Sequence, residues 1–135
     1  MKLEDIAREL GLTELTPEVT GNSEAKIERG YASDLLSDVL AHAPEGGVLV
    51  TLQVHLNVVA VASHAEMAAV IFAGGRRPEE DVCAKAVAEG LALYVSPADT
   101  FDVVGRLFAM GVKVVQDVLD VAHGRTPKEV VRLKK

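Results

Sequence analysis

"GGVLVTLQVHLNVVAVASHAEMAAVIFAGG", residues 46–75, decides the fold. The stretch begins and ends on paired glycines and carries two aliphatic runs, residues 48–52 and 69–73. Each run is continuous rather than alternating, the pattern of a strand buried on both faces, as in a parallel sheet. The piece between them, "NVVAVASHAEM", reads two ways. Its β-branched residues suit a strand, yet Asn57 is a good helix cap and Val58, Val61, Ala62 and Ala65 share one helical face. Parallel neighbours need a crossover between them, so the helical reading is the one that joins the two runs.

The same alternation extends in both directions. Upstream, Leu3, Ile6, Ala7 and Leu10 recur at helical spacing and Gly11 follows as a stop. "TPEVTGNSEA" is a turn-rich connection, and "AKIERGYAS" reads as a short strand ending at Gly30. In "SDLLSDVLAHA", Ser33 is placed to cap a helix that turns Leu35, Leu36, Val39 and Leu40 inward. Downstream, "PEEDVCAKAVAEG" is a helix with Pro78 near its first position and Gly90 at its end. "LALYVS" is the next strand, and "SPADTFDVVGRLFAMG" opens on a capping-box variant of Ser96, Pro97 and Asp99 and runs to Gly111. Beyond it, Val114, Val115, Val118, Leu119 and Ala122 form one stripe, and Thr126, Pro127 and Glu129 make a second capping box. The expected architecture is α/β: a mainly parallel sheet of about four to five strands flanked by helices. Residues 1–111 form that domain, and 112–135 form a C-terminal helical extension packed on it or on a dimer partner.

Composition narrows the function. The 135 residues are 49% hydrophobic but only 4% aromatic, with no Trp, so the core is built from Val, Ala and Leu. A net charge of -6 repels a phosphate backbone, which argues against nucleic acid as a partner. Cys83 is alone, so neither an intrachain disulfide nor a thiolate metal site can form. The charged amino terminus and the lack of a run of about 18 apolar residues lead us to expect a soluble, cytoplasmic protein with no membrane partner.

The residues that could carry chemistry gather at the strand exits. In "VIFAGGRRPEED", two glycines and two arginines stand between a strand and a helix start. Amides at such a corner can hold an anion, with Arg76 and Arg77 adding a bidentate grip. The bland alternative is a tight exit, because Glu79, Glu80 and Asp81 already give the helix dipole its negative charge. In open parallel sheets ligands settle outside the carboxyl ends of the strands. This rule yields a candidate ligand set of Arg29, Tyr31, Gln53, His55, Asn57, Gly74, Gly75 and Arg76. No "GxxxxGK[ST]" or strand-following "GxGxxG" is present, and the histidines lack metal spacing. No serine stands in a nucleophile elbow, so no catalytic residue, metal or cofactor is expected.

The segments "GYASDLLSDVLAHA", "VTLQVHLNVVAVA", "AAVIFAGGRRPEE" and "SPADTFDVVGRL", spanning about residues 2 to 111, together resemble the DRTGG domain family. The family's Gly-Gly matches Gly74 and Gly75, whereas its Asp-Arg element falls near Val54 and His55, neither of which matches. The resemblance implies an α/β domain related to the amino-terminal domain of HPr kinase/phosphorylase. Similar modules stand beside CBS pairs in regulated pyrophosphatases. With the kinase's phosphate loop missing, it implies a non-catalytic regulatory or interaction unit, a homodimer or the binder of a protein partner. The alternative is a sensor that takes an adenine nucleotide or other anionic metabolite at the carboxyl edge of the sheet.

Overall fold

The structure, a computed structural model, describes residues 1–19 and 24–113. Helix α1 (Leu3–Glu9) leads into a two-residue strand, β1 (Thr13–Glu14). Then follow β2 (Gly30–Ala32), α2 (Leu36–His42), β3 (Val48–Thr51), α3 (Leu56–His64) and β4 (Ala69–Phe72). Helix α4 (Glu80–Glu89), β5 (Ala92–Val95) and α5 (Thr100–Ala109) complete the described elements. The strands form one sheet in the order β1-β5-β4-β3-β2.

Strands β2 to β5 are mutually parallel, with Val50 opposite Ile71 and Ile71 opposite Tyr94. All four residues of β3, β4 and β5 are buried. The pleat sends Val48, Val50, Ala69, Ile71, Ala92 and Tyr94 to one face, where Leu3 and Ile6 of α1 and Val103 and Leu107 of α5 cover them. It sends Leu49, Val70, Phe72, Leu93 and Val95 to the other, under Val39 of α2, Val58, Val59 and Ala62 of α3, and Val82 and Ala86 of α4. Helices on both faces explain why the aliphatic runs are continuous: neither side of the sheet meets water. Each buried Val, Leu or Ile contributes roughly 1.5–3 kcal/mol relative to an exposed one, so the sheet centre dominates stability.

The sheet is mixed, because β1 pairs antiparallel with β5, setting Thr13 against Val95 and Glu14 against Tyr94. The pairing continues past the strand. Leu15 N donates to Leu93 O, and Leu93 N donates to the hydroxyl of the fully buried Thr16. A side-chain oxygen thus takes over where a longer strand would have supplied a carbonyl.

Several local expectations shift by a few residues. Strand β2 begins at Gly30 instead of ending there, because residues 25–27 pair with the chain's start: Leu3 N donates to Ala25 O, and Ile27 N to Met1 O. Ser33 does not cap α2. Its hydroxyl accepts from Leu35 N in a turn one step earlier, which leaves Leu35 65% and Leu40 50% exposed while Val39 is buried. Asn57 lies inside α3, and the cap is His55. Asp99 alone caps α5, accepting from Asp102 N, while the Ser96 hydroxyl accepts from Ala98 N. Of the C-terminal extension expected from residue 112, Val112 is buried in the core and Lys113 is paired in parallel with Arg29 beside β2. The rest of that extension, with its stripe and its second capping box, lies outside the described residues.

Candidate functional site

The exits of the four parallel strands gather on one rim. Asp34, just past β2, ties the first two exits together: its Oδ1 accepts from Thr51 Oγ1 at 3.1 Å and from Leu52 N at 2.7 Å, and its carbonyl accepts from Gln53 Nε2 at 3.1 Å. Thr51 is fully buried, and its hydroxyl in turn accepts from Gln53 N. Arg76 Nε, from the exit of β4, donates to Leu52 O at 2.6 Å.

The glycine corner follows. Gly74 and Gly75 both take φ of +67°, a left-handed conformation that side chains other than glycine adopt only at a cost. In this conformation Gly74 N donates to Ala98 O and Gly75 N to Ser96 O, each at 2.7 Å. The amides that could have held an anion are instead spent on the neighbouring loop after β5. The corner is a tight strand-to-helix exit latched to its neighbour, not a phosphate cradle.

A half-open cleft of about 470 Å³ lies between the loop after β3 and the start of α4. Gln53, His55, Arg77, Glu79 and Asp81 supply its polar lining, and Val54, Leu56 and Val82 its apolar one. His55 Nδ1 accepts from Asn57 N at 3.1 Å, so this nitrogen carries no proton and only Nε2 is left for a ligand. One arginine against two carboxylates makes the lining net acidic, which disfavours a polyphosphate chain and suits a polar, weakly charged group.

Of the residues the sequence nominated, Gln53 and His55 line the cleft. Asn57 contributes its amide to the His55 cap, and Gly74, Gly75 and Arg76 hold the rim together beside it. Tyr31 is turned away to α2, where its hydroxyl donates to Asp38 Oδ2 at 2.8 Å. Burial and that carboxylate hold the Tyr31 hydroxyl above its usual range, and the bonds from Tyr31 and Ser33 hold Asp38 below the usual carboxylate range. Arg29 is a correction. It precedes β2 and its carbonyl accepts from Val48 N, so it lies at the amino edge of the sheet, opposite the rim. The sequence reading missed Asp34, and its ligand set left out Thr51 and kept Arg76 of the arginine pair where Arg77 lines the cleft.

Among the described residues no group of three or more His, Cys, Asp or Glu is placed to hold a metal ion. None of their buried side-chain nitrogen or oxygen atoms lacks a hydrogen-bond partner. No described helix is long and apolar enough to cross a membrane.

No protein family and no curated protein matches the sequence. Among solved structures, the chain is similar to the CBS and DRTGG domains of the regulatory region of Clostridium perfringens pyrophosphatase, a structure complexed with its activator, diadenosine tetraphosphate. The two share 14% identity at a TM-score of 0.67, over 90% of this chain and 57% of that one. This chain therefore spans a little over half the length of that neighbour. What the two have in common is the α/β fold.

Proposed function

We propose that this protein is a regulatory module without chemistry of its own, acting as a homodimer or on a protein partner. The observation that carries the reading is the likeness over 90% of the chain to the regulatory region of an enzyme. The rim supports it: Asp34, Thr51 and Gln53 are bonded to one another, Arg76 to Leu52 O, and the Gly74 and Gly75 amides to Ala98 O and Ser96 O, an arrangement that fixes shape. The exposed Leu35 and Leu40, on and beside α2, offer apolar surface for self-association. Sedimentation velocity at tens of micromolar tests the dimer. A concentration-dependent dimer is expected, and a strict monomer removes it.

The cleft favours a second reading, a sensor that holds an adenine nucleotide or related metabolite by its base and ribose, with any phosphates outside the net acidic lining. Its volume of about 470 Å³ falls within the range of small-molecule sites, and Gln53, His55 and Arg77 supply donors to a ring or ribose. A thermal-shift series of adenosine, AMP, ATP and diadenosine tetraphosphate tests it. A ligand at 100 times its dissociation constant adds about 2.7 kcal/mol, enough to move the midpoint by several degrees. Unchanged midpoints across the series remove the sensor reading and leave the dimer test standing.

A further inference from the structure

The cleft between the loop after β3 and the start of α4 carries a fixed pattern of donors and acceptors, set by bonds that its side chains already make within the protein. Gln53 Nε2 donates to Asp34 O. A carbonyl can only accept, so the amide nitrogen faces Asp34 and Oε1 is turned from it. Asn57 N donates to His55 Nδ1, which fixes the imidazole as the tautomer with its hydrogen on Nε2. The two side chains stand two residues apart on the approach to α3, where His55 is still extended, and both line the cleft. They are held in place before anything binds. The Gln53 backbone amide donates to Thr51 Oγ1 and its side chain is tied to Asp34, while His55 is held by the first turn of α3. A ligand therefore loses little affinity to ordering them.

The rest of the lining says what kind of group they meet. Val54, Leu56 and Val82 are apolar, and Leu56 is 39% exposed, so a flat ring in the cleft would cover apolar surface now open to water. Glu79 and Asp81 repel an anion. Glu79, at the N-cap of α4, makes no side-chain cap bond, which leaves its carboxylate to accept from hydroxyls. Among the lining side chains, Gln53 Oε1 is the uncharged acceptor and His55 Nε2–H the uncharged ring donor. We infer that these two atoms form an acceptor–donor pair that reads the edge of a flat, neutral heterocycle with an N–H donor next to a ring acceptor. Adenine presents this edge with its N6 amino group and N1. The inference rests on the sensor reading of the cleft and deepens it by assigning recognition of the ring to two named atoms.

Isothermal titration of the full chain with three uncharged nucleosides tests it: adenosine, N6,N6-dimethyladenosine, which has no N–H on that edge, and purine riboside, which has no amino group. Adenosine should bind about tenfold more tightly than either, because each analogue leaves Gln53 Oε1 without its donor. Two variants test His55. Asparagine and aspartate both place an oxygen that can accept from Asn57 N, so H55N and H55D keep the cap of α3, with the unfolding midpoint as the control. H55N retains an N–H donor and should bind adenosine within about threefold of the unaltered chain, whereas H55D offers only acceptors and should bind it about tenfold more weakly. Should the H55D midpoint fall, the nucleoside series on the unaltered chain decides alone. Equal affinities across the three nucleosides overturn the inference and leave the sensor reading standing, as does a folded H55D that binds adenosine as tightly as H55N. Adenosine that fails to bind at millimolar concentration removes the sensor reading itself, and the inference with it.

Discussion

Replacing Asp34 by alanine removes the knot that joins the exits of β2 and β3, and the cost follows from the geometry. Two bonds to Oδ1 disappear. The one from Leu52 N is charge-assisted and short, but Asp34 is exposed, so roughly 1.5 kcal/mol, the low end for such bonds, applies. The other leaves the hydroxyl of the fully buried Thr51 without an acceptor for its proton, at a further cost of about 1 kcal/mol. The expected loss is about 2–3 kcal/mol, a fall in Tm of roughly 6–12 °C for a domain of this size. D34N keeps an oxygen for both donors and should recover most of it. In a T51V background the second bond no longer exists, so D34A should cost about 1 kcal/mol less there than in the unaltered chain. Urea unfolding followed by circular dichroism reads all four variants. If D34A leaves the midpoint unmoved, or if D34A and T51V simply add, the knot as described does not hold the rim.

Three further outcomes are expected. G47A should destabilise by about 1–3 kcal/mol, because an added Cβ would lie 2.9 Å from Arg29 O and 2.8 Å from Pro44 Cγ, and that carbonyl is held by Val48 N; unfolding midpoints check it. Y31F should raise the Asp38 carboxyl toward the usual range, which carbon-detected NMR titration reads. Since the folded carboxyl is held low, the stabilisation it brings is present above the usual carboxylate pKa and lost as pH falls below it, so Y31F and the unaltered chain should converge in strong acid. Cys83, whose thiol is pushed up first by burial and then by Glu80, should alkylate with iodoacetamide more slowly than a free cysteine at neutral pH.

The layers of the fold were legible because burial on two faces leaves a mark that propensity cannot hide. The runs at 48–52 and 69–73 hold a single polar residue, Thr51 at the end of β3, and paired glycines stand before the first run and after the second. What the sequence hid was settled by partners far along the chain. Residues 25–27 look like a strand of the main sheet but pair with residues 1–3, where the chain enters α1. Ser33, Asn57 and Ser96 are all good caps, yet each cap position is decided by the loop that delivers the helix, and His55 and Asp99 hold two of them. The candidate site was half legible. Its place on the rim followed from strand direction, while the choice of Arg77 over Arg76 depended on how two left-handed glycines turn the corner. Asp34 gave no signal, because an aspartate after a strand looks like any solvated loop residue.

Residues 13–16 also bear on how the molecule keeps to itself. They occupy the outer side of β5, a strand whose four residues are all buried and mostly aliphatic. Without them, β5 would present an unclosed row of amides and carbonyls ready to seed fibrils by stacking like against like. Two short residues of ladder, one threonine hydroxyl and the negative charge of Glu14 thus act as a terminator that stops the sheet from growing beyond one molecule.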